Sequence, residues 1–281
     1  MKKIILGCFT VSLCLCVINL PVFAAVTLEQ KWQAVDLKTP ESVLVYRDGK
    51  KAFLLVSQVD GEPTAKDGQG GIAKIALNGE VDALDWVTGL NAPKGMAYVD
   101  DKLYVADIDT LVEINLKSAE VINRYPVPGA TFLNDVTVDS KGVVYVTDTQ
   151  TQKIHQLQNG QVTEVLSKVV SANGIKAIGS NLIVGAGKQL ILVDKQKNQL
   201  PIASGFAQDI DGVEPVGKGN FIVSCWPGLI YYVYLDGKIE LLLDSQAEKI
   251  NTADIGFDST TNLLFVPNFF KNTVTAYTLN Q

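Results

Sequence analysis

The chain has little of what most hydrolytic and metal sites are built from. Histidine occurs once in 281 residues, at position 155, and three of the four cysteines lie within the first sixteen residues. A Ser-His-Asp triad would therefore depend on His155 alone, and no His or Cys spacing suits zinc. The remaining Cys225 has no partner for an internal disulfide, and its apolar surroundings (FIVSCWPG) indicate an inert buried thiol.

Positive charge is also scarce, with 24 basic against 30 acidic residues and a net charge of −6. This balance argues against nucleic acid or an anionic membrane as a partner and permits cation binding. There is no G-x-S-x-G nucleophile motif. The glycine-rich loop GEPTAKDGQGG lacks the G-K-[ST] ending of a phosphate-binding loop and lies between strand-like segments, which argues against nucleotide binding there.

The only long apolar run lies at the N-terminus. Lys2 and Lys3 precede the apolar stretch 4–20, and small residues then suggest cleavage after Ala24. We interpret residues 1–24 as a secretory signal peptide and 25–281 as a single mature domain, periplasmic or secreted, with no transmembrane segment after cleavage. An uncleaved anchor, or a lipid on Cys14 or Cys16, is the alternative.

A repeat of about forty residues dominates the rest of the chain. Apolar triplets recur as LYVAD, VYVTD, LIVGA, FIVSC and LFVPN, starting 38 to 43 residues apart, and a related LLVSQ starts at residue 54. Each is flanked by alternating segments and by Asp-Gly, Asn-Gly or Lys-Gly turns, which is typical of strands and hairpins. We predict an all-β fold, a six-bladed β-propeller of four-stranded blades, with the segment 26–37 added as a strand to the last blade.

In a propeller, the first strand of every blade begins beside the central axis on the same face. The residues at that position are all polar: Glu41, Lys94, Asn134, Asn173, Asp211 and Asp254. Oxygen-bearing side chains of this kind suit Ca²⁺, Mg²⁺ or Mn²⁺. The alternative is turn chemistry, because Asn-Gly and Asp-Gly are common turn dipeptides. Glu41, in a strand-like context, is a poor turn former and favours the site.

Within this ring, the pair Asn134-Asp135 opens the third blade. The pleat of a strand points successive side chains to opposite sides. We therefore predict that Asn134 faces the axis and has the functional role, whereas Asp135 points away and fixes the loop. His155, at a third-strand position in QKIHQLQ, should lie away from the axis as a packed or surface residue and not as a base.

At these positions the chain resembles the gluconolactonase/regucalcin family of six-bladed propellers. The resemblance lies in Glu41 before the first inner strand, Asn134-Asp135 with a following D-x-x-G, Asn173-Gly174 and Asp211-Gly212. It implies one divalent cation bound by Glu41, Asn173 and Asp211, with Ca²⁺ as the first choice and Mn²⁺, Mg²⁺ or Zn²⁺ as alternatives. Asn134 would contact the substrate or a metal-bound water.

The chain also departs from the family pattern. Ser42-Val43 replaces the usual Gly-Pro, Ala172 replaces a proline, and Lys94 introduces a cation that would weaken metal binding but could hold an anionic substrate. The phrases APKGMA and LYVADIDT resemble NHL-type propellers, whose members often bind partners without catalysing a reaction.

We expect a metal-dependent hydrolase of the lactonase type, acting on a small lactone or ester at the channel mouth. Catalytic roles are predicted for Asp211, Asn134 and Lys94, with Asp211 or the nearby Asp254 as general base. The competing hypotheses are a non-catalytic propeller that binds a small molecule, peptide or protein at the same face, and a propeller with structural calcium.

Overall fold

The computed structural model describes residues 25–49 and 51–281, so the predicted signal peptide lies outside the described residues. The described chain forms six four-stranded antiparallel sheets, which confirms the predicted six-bladed β-propeller. The innermost strands contact one another in a closed ring, so every sheet begins at a common axis. Within the described part of the chain, no helix is long and apolar enough to span a membrane.

The first three blades run in chain order from the axis outwards. The first blade comprises β2 (Pro40–Asp48), β3 (Lys51–Gln58), β4 (Gly70–Ala76) and β5 (Val81–Leu90). The second comprises β6 (Pro93–Val99), β7 (Lys102–Asp107), β8 (Thr110–Asn115) and β9 (Val121–Pro126). The third comprises β10 (Leu133–Val138), β11 (Val144–Asp148), β12 (Lys153–Gln158) and β13 (Gln161–Ser167).

The last three blades follow the same plan until the chain closes. The fourth comprises β14 (Ala172–Ile178), β15 (Asn181–Ala186), β16 (Gln189–Val193) and β17 (Gln199–Ser204). The fifth comprises β18 (Ile210–Gly217), β19 (Asn220–Cys225), β20 (Leu229–Val233) and β21 (Ile239–Asp244). The sixth comprises β22 (Gly256–Asp258), β23 (Leu263–Asn268), β24 (Thr273–Asn280) and, as its outer strand, β1 (Thr27–Ala34); a short 3-10 helix, Phe269–Lys271, lies between β23 and β24.

The ring is closed by the N-terminal strand, as the sequence predicts. β1 pairs antiparallel with β24, from Thr27 opposite Asn280 to Ala34 opposite Val274. Trp32 packs its ring 5.8 Å from that of Phe265 and donates its indole N–H to the carbonyl oxygen of Leu77 at 3.0 Å. The two ends of the described domain are therefore held in one sheet.

The apolar core lies between neighbouring blades. One cluster, for example, packs Tyr46, Leu55 and Ile72 of the first blade against Met96 and Leu103 of the second. The recurring triplets form the second strand of each blade, where β3, β7, β11, β15, β19 and β23 are largely buried. Their continuous apolar runs follow because a second strand is covered on both faces by adjacent blades.

Close packing at the axis explains the recurring Asn-Gly and Asp-Gly pairs. An added Cβ on Gly174 would lie 2.3 Å from the backbone oxygen of Asp211, and one on Gly212 would lie 2.5 Å from the nitrogen of Ile255. Neither glycine adopts a positive φ, so the hairpin-turn interpretation of these pairs is wrong. They occupy irregularities in the pairing of β14 with β15 and of β18 with β19, where a bulge redirects the first residues of the strand.

Candidate functional site

A cavity of about 490 Å³ opens at one end of the propeller axis. Five of the six predicted ring residues line it, each as the second residue of an innermost strand: Glu41, Lys94, Asn134, Asn173 and Asp211. Apolar and loop residues complete the wall: Val59, Gly61, Glu62, Pro63, Phe132, Thr149, Trp226, Phe269 and Phe270. The repeat thus brings together side chains that are as much as 170 positions apart in the chain.

Three of these side chains, Glu41, Asn173 and Asp211, are the ones predicted to bind a metal ion. The Asn173 amide N–H donates to Oδ1 of Asp211 at 3.0 Å, which leaves the Asn173 oxygen free. That oxygen and Oε2 of Glu41 are both buried and have no hydrogen-bond partner among the described residues. Buried polar atoms without a partner are unfavourable, and each requires an explanation such as a bound ion.

The carboxyl groups of the site are electrostatically strained. Burial and the negative charge of Asp135 raise the pKa of Asp211 to about 7, although the Asn173 hydrogen bond opposes the shift. Burial, together with the charges of Asp211 and Asp254, raises the pKa of Glu41 well above its usual value. A protonated carboxyl or a bound cation would relieve this repulsion.

The donor set fits a hard divalent cation. Among the described residues, no three His, Cys, Asp or Glu side chains are grouped closely enough to hold a metal ion by themselves. A cation here would therefore depend on the Asn173 amide oxygen together with Glu41 and Asp211. Carboxylate and amide oxygens without nitrogen or sulfur ligands favour Ca²⁺, Mg²⁺ or Mn²⁺.

Asn134 is held in place at the cavity wall by a hydrogen-bond chain. Its amide N–H donates to the Thr149 hydroxyl at 3.1 Å, and that hydroxyl donates to the carbonyl oxygen of Ala172 at 2.7 Å. Asn134 is almost fully buried and faces the cavity, as predicted. A side chain fixed in this way presents its amide to a ligand without a further entropic cost.

Asp135, the neighbour of Asn134, has a different task from the predicted one. Its Oδ1 accepts from the backbone N–H of Val136 and its Oδ2 from that of Ile175, both at 2.7 Å. Ile175 belongs to the fourth blade, so the carboxylate joins two blades at the axis. The prediction that Asp135 fixes its own loop is therefore corrected to a connection between blades.

Lys94 lines the cavity, but its ammonium group is already engaged. Nζ donates to the carbonyl oxygens of Pro63 and Ala92, both at 3.1 Å, and lies 4.4 Å from the centre of the Phe132 ring. Burial lowers the pKa of Lys94, while the charge of Glu41 opposes this shift. The catalytic role of Lys94 stays a prediction, and its contacts are those of a residue that positions the loop containing Pro63.

Asp254, the sixth ring residue, does not line the cavity. Its Oδ2 accepts a 2.5 Å hydrogen bond from the Ser42 hydroxyl, and its Oδ1 is buried without a hydrogen-bond partner in residues 25–49 and 51–281. The sixth inner strand begins only at Gly256, so Asp254 lies before it and pairs with Ser42 through an isolated bridge. Of the two proposed bases, only Asp211 reaches the cavity.

The cavity wall contains residues that sequence reasoning missed, and the repeat holds the signal that would have found them. The position directly after the second strand of each blade is occupied by Val59, Ile108, Thr149, Gly187, Trp226 and Phe269. Four of these six line the cavity. The six positions form a second ring next to the polar ring. This second ring is aromatic at the fifth and sixth blades, where it contains Trp226 and Phe269.

The two residues that the sequence analysis set aside are buried within strands. His155 is buried on β12, and burial lowers its pKa. Cys225 is buried on β19, and burial raises the pKa of its thiol to about 12. Neither lines the cavity.

The fold defines the class of protein as a six-bladed β-propeller with a polar ring at one end of its axis. No protein-family model matches the chain, and no curated protein matches it either. Similar solved structures include a streptogramin B lyase, with a TM-score of 0.67 at 12% identity, covering 91% of this chain and 98% of that one.

Two further structures share the fold. A catalytically inactive variant of virginiamycin B lyase from Staphylococcus aureus, solved with quinupristin, has a TM-score of 0.62 at 14% identity and covers 91% of this chain and 100% of that one. A structure of a nidogen/laminin complex has a TM-score of 0.64 at 16% identity, and the match covers 74% of this chain and 86% of that one. The propeller is thus shared with an enzyme and with a protein from a protein–protein complex, and identities this low establish the fold alone.

Proposed function

We propose that the protein is a metal-dependent hydrolase of the lactonase type that acts on a small lactone or ester in the axial cavity. The observation behind this proposal is the pair of buried, unpartnered oxygens of Glu41 and Asn173 next to the carboxyl group of Asp211. The resemblance of the same positions to the gluconolactonase/regucalcin family supports it.

In this proposal Glu41, Asn173 and Asp211 hold one divalent cation. A bound cation of this kind polarises an ester carbonyl and lowers the pKa of water. In this proposal Asp211 would also accept a proton from the attacking water, because of the two candidate bases it is the one whose carboxyl group lines the cavity. Asn134, fixed by Thr149, orients the substrate, and the apolar wall excludes bulk water.

The test uses the domain 25–281 stripped of divalent ions. Lactone hydrolysis is measured with and without added Ca²⁺, Mg²⁺, Mn²⁺ and Zn²⁺, while metal binding is followed by titration calorimetry. We expect stoichiometric binding of one ion, turnover that depends on it, and loss of both in Asp211→Ala and Asn173→Ala. Asp236→Asn, in an exposed turn, is the matched control. Failure to bind any ion would contradict the proposal.

A second candidate is a non-catalytic propeller that binds a small molecule or protein at the same mouth. The engaged ammonium of Lys94 and the largely apolar cavity wall favour it, because neither supplies a catalytic group. Ligand binding without turnover, in the presence of every ion tested, would establish this alternative.

We also propose that the protein is exported to the periplasm or beyond the cell after cleavage behind Ala24. The basic start, apolar stretch and small residues of the first 24 positions support this proposal. Mass spectrometry of the protein recovered from the cell envelope and the medium would show a chain that starts at Ala25. A full-length or lipid-modified N-terminus would contradict it.

A further inference from the structure

We propose that the aromatic trio Trp226, Phe269 and Phe270 is the specificity wall of the cavity, and that it selects uncharged esters or lactones with a fused or attached ring. The proposal rests on the proposed function for the identity of the reacting bond. Binding of the ring is measurable without any reaction.

The trio is a preformed surface. The ring centres of Trp226 and Phe269 are 5.0 Å apart, those of Trp226 and Phe270 5.9 Å, and those of Phe269 and Phe270 5.0 Å, all edge to face. Mutual edge-to-face packing holds each ring in a defined orientation. A ligand ring therefore meets a surface that needs little ordering on binding.

Exposure differs sharply within the trio. Phe269 is only 5% exposed and packs with Val59, Ala92 and Ile108, whereas Phe270 is 66% exposed. Phe270 thus adds apolar surface at the cavity mouth while Phe269 anchors the 3-10 helix beneath it. A large aromatic side chain left in water beside a cavity is a surface that an apolar ligand group would cover.

The loop between β3 and β4 forms the adjoining part of the cavity wall. Val59, Gly61, Glu62 and Pro63 of this loop line the cavity, and the Lys94 ammonium holds the loop through the carbonyl oxygen of Pro63. The ligand space, called the slot below, is therefore bounded by this tethered loop and by the trio, with Glu41, Asn173 and Asp211 also in its lining.

The charges of the slot indicate an uncharged ligand. Among the described residues, Lys94 is the one cationic side chain that lines it, and its ammonium already contacts two carbonyl oxygens and the Phe132 ring. In the described part of the chain, the other ionisable side chains of the slot are the carboxyls of Glu41, Glu62 and Asp211, so an anionic ligand group that lies away from the proposed cation finds no free cationic side chain. This argues against the anionic substrate considered for Lys94 from the sequence.

The test compares two lactones that differ only in a fused benzene ring, 3,4-dihydrocoumarin and δ-valerolactone. Trp226 is the reporter, because Trp32 and Trp86 do not line the cavity. With the metal-loaded domain, we expect dihydrocoumarin to quench tryptophan fluorescence and Trp226→Phe to abolish most of the quenching. Competition against this signal gives the affinity for δ-valerolactone.

Phe270→Ala should raise the Kd for dihydrocoumarin roughly tenfold and that for δ-valerolactone less than about twofold, because only the first offers a ring to the trio. Leu235→Ala, which removes a 73% exposed side chain outside the cavity lining, should change neither. A dihydrocoumarin that bears a carboxylate on its benzene ring, away from the lactone and the cation, should bind more weakly than dihydrocoumarin, and Glu62→Gln should reduce this difference in affinity. Metal affinity should be the same in Phe270→Ala and in the parent.

If Phe270→Ala weakened the binding of both lactones equally, or of neither, this proposal would be overturned. Tighter binding of the carboxylate analogue than of dihydrocoumarin would overturn it as well. Those outcomes leave the proposed hydrolase intact if metal-dependent turnover persists. Conversely, selective binding of the ring-bearing lactone, with no turnover in the presence of any of the four metal ions, would support the specificity wall and contradict the proposed hydrolase activity.

Discussion

At the scale of single residues, the neighbours Asn134 and Asp135 have different roles: one lines the cavity and the other holds the fold together. Asn134 faces the cavity and is held by Thr149, whereas Asp135 accepts backbone N–H groups from two blades. The alternation of the pleat predicts that they point to different sides. It does not predict that the buried carboxylate also accepts from the N–H of Ile175, because that group belongs to another repeat forty residues away.

Titration of Asp211 leads to a prediction about the metal-free protein. A carboxyl with a pKa raised from 3.8 to about 7 keeps its proton in the folded state while the unfolded chain has already lost it. Folding stability is therefore unaffected below about pH 4, falls as the pH rises towards 7, and the full penalty remains above that. Asp211→Asn should gain about 1–3 kcal/mol relative to the parent between pH 5 and pH 8.

The measurement is urea unfolding in EDTA at several pH values. The quantity to compare is the difference in unfolding free energy between parent and variant. The lowered pKa of His155 makes stability rise with pH, opposite to the effect of Asp211, but it does so equally in both proteins and cancels in the difference. Asp236→Asn should track the parent at every pH. A parent–variant difference that does not change with pH would show that Asp211 has an ordinary pKa.

At the scale of elements, the bulged starts of the inner strands create the site. Register breaks after Pro93, Leu133, Ala172 and Ile210 turn the next side chain towards the axis. Glycine follows at positions 95, 174 and 212, since the adjacent blade occupies the space that a Cβ would need. From the sequence alone these pairs are indistinguishable from hairpin turns, because both situations select Asn, Asp and Gly.

The closing strand gives a prediction at this scale. A chain that starts at Val26 keeps β1, whereas one that starts at Asp36 lacks it and exposes the edge of β24. We expect the shorter chain to unfold at least about 10 °C lower and to aggregate, because an unpaired edge strand and the contacts of Trp32 are left uncovered. Thermal scans and size-exclusion chromatography would check this. Equal melting temperatures would mean that β1 is dispensable for closure.

At the scale of the whole molecule, the axis is a column of buried charge. Below the site, the ammonium of Lys176 lies 3.1 Å from a carboxylate oxygen of Glu214, and both side chains are largely covered. Burial lowers the pKa of Lys176, but the charges of Glu214, Asp135 and Asp254 outweigh it and raise the value overall. This one ammonium thus offsets carboxylates from three blades.

Removing that ammonium should destabilise the propeller. Lys176→Met leaves Glu214 and its neighbours uncompensated in a buried place, which costs about 3–5 kcal/mol. The double variant Lys176→Met/Glu214→Leu should recover a large part of the loss, since an apolar pair can replace a buried ion pair. Urea unfolding at pH 7 measures the stability of both variants. If Lys176→Met were as stable as the parent, the buried carboxylates would not need the Lys176 ammonium.

The sequence by itself determined the strand content, the six-fold repeat, the closing strand and the identity of the polar ring. These follow from local periodicity and from one repeated position, and both are visible along the chain. Only the tertiary structure decided that Lys94 is tied to Pro63, that Asp254 lies outside the cavity and that Trp226, Phe269 and Phe270 form one wall. The physical reason is that each of these depends on loops and side chains from different blades, whose contacts are set by packing around the axis and not by local pattern.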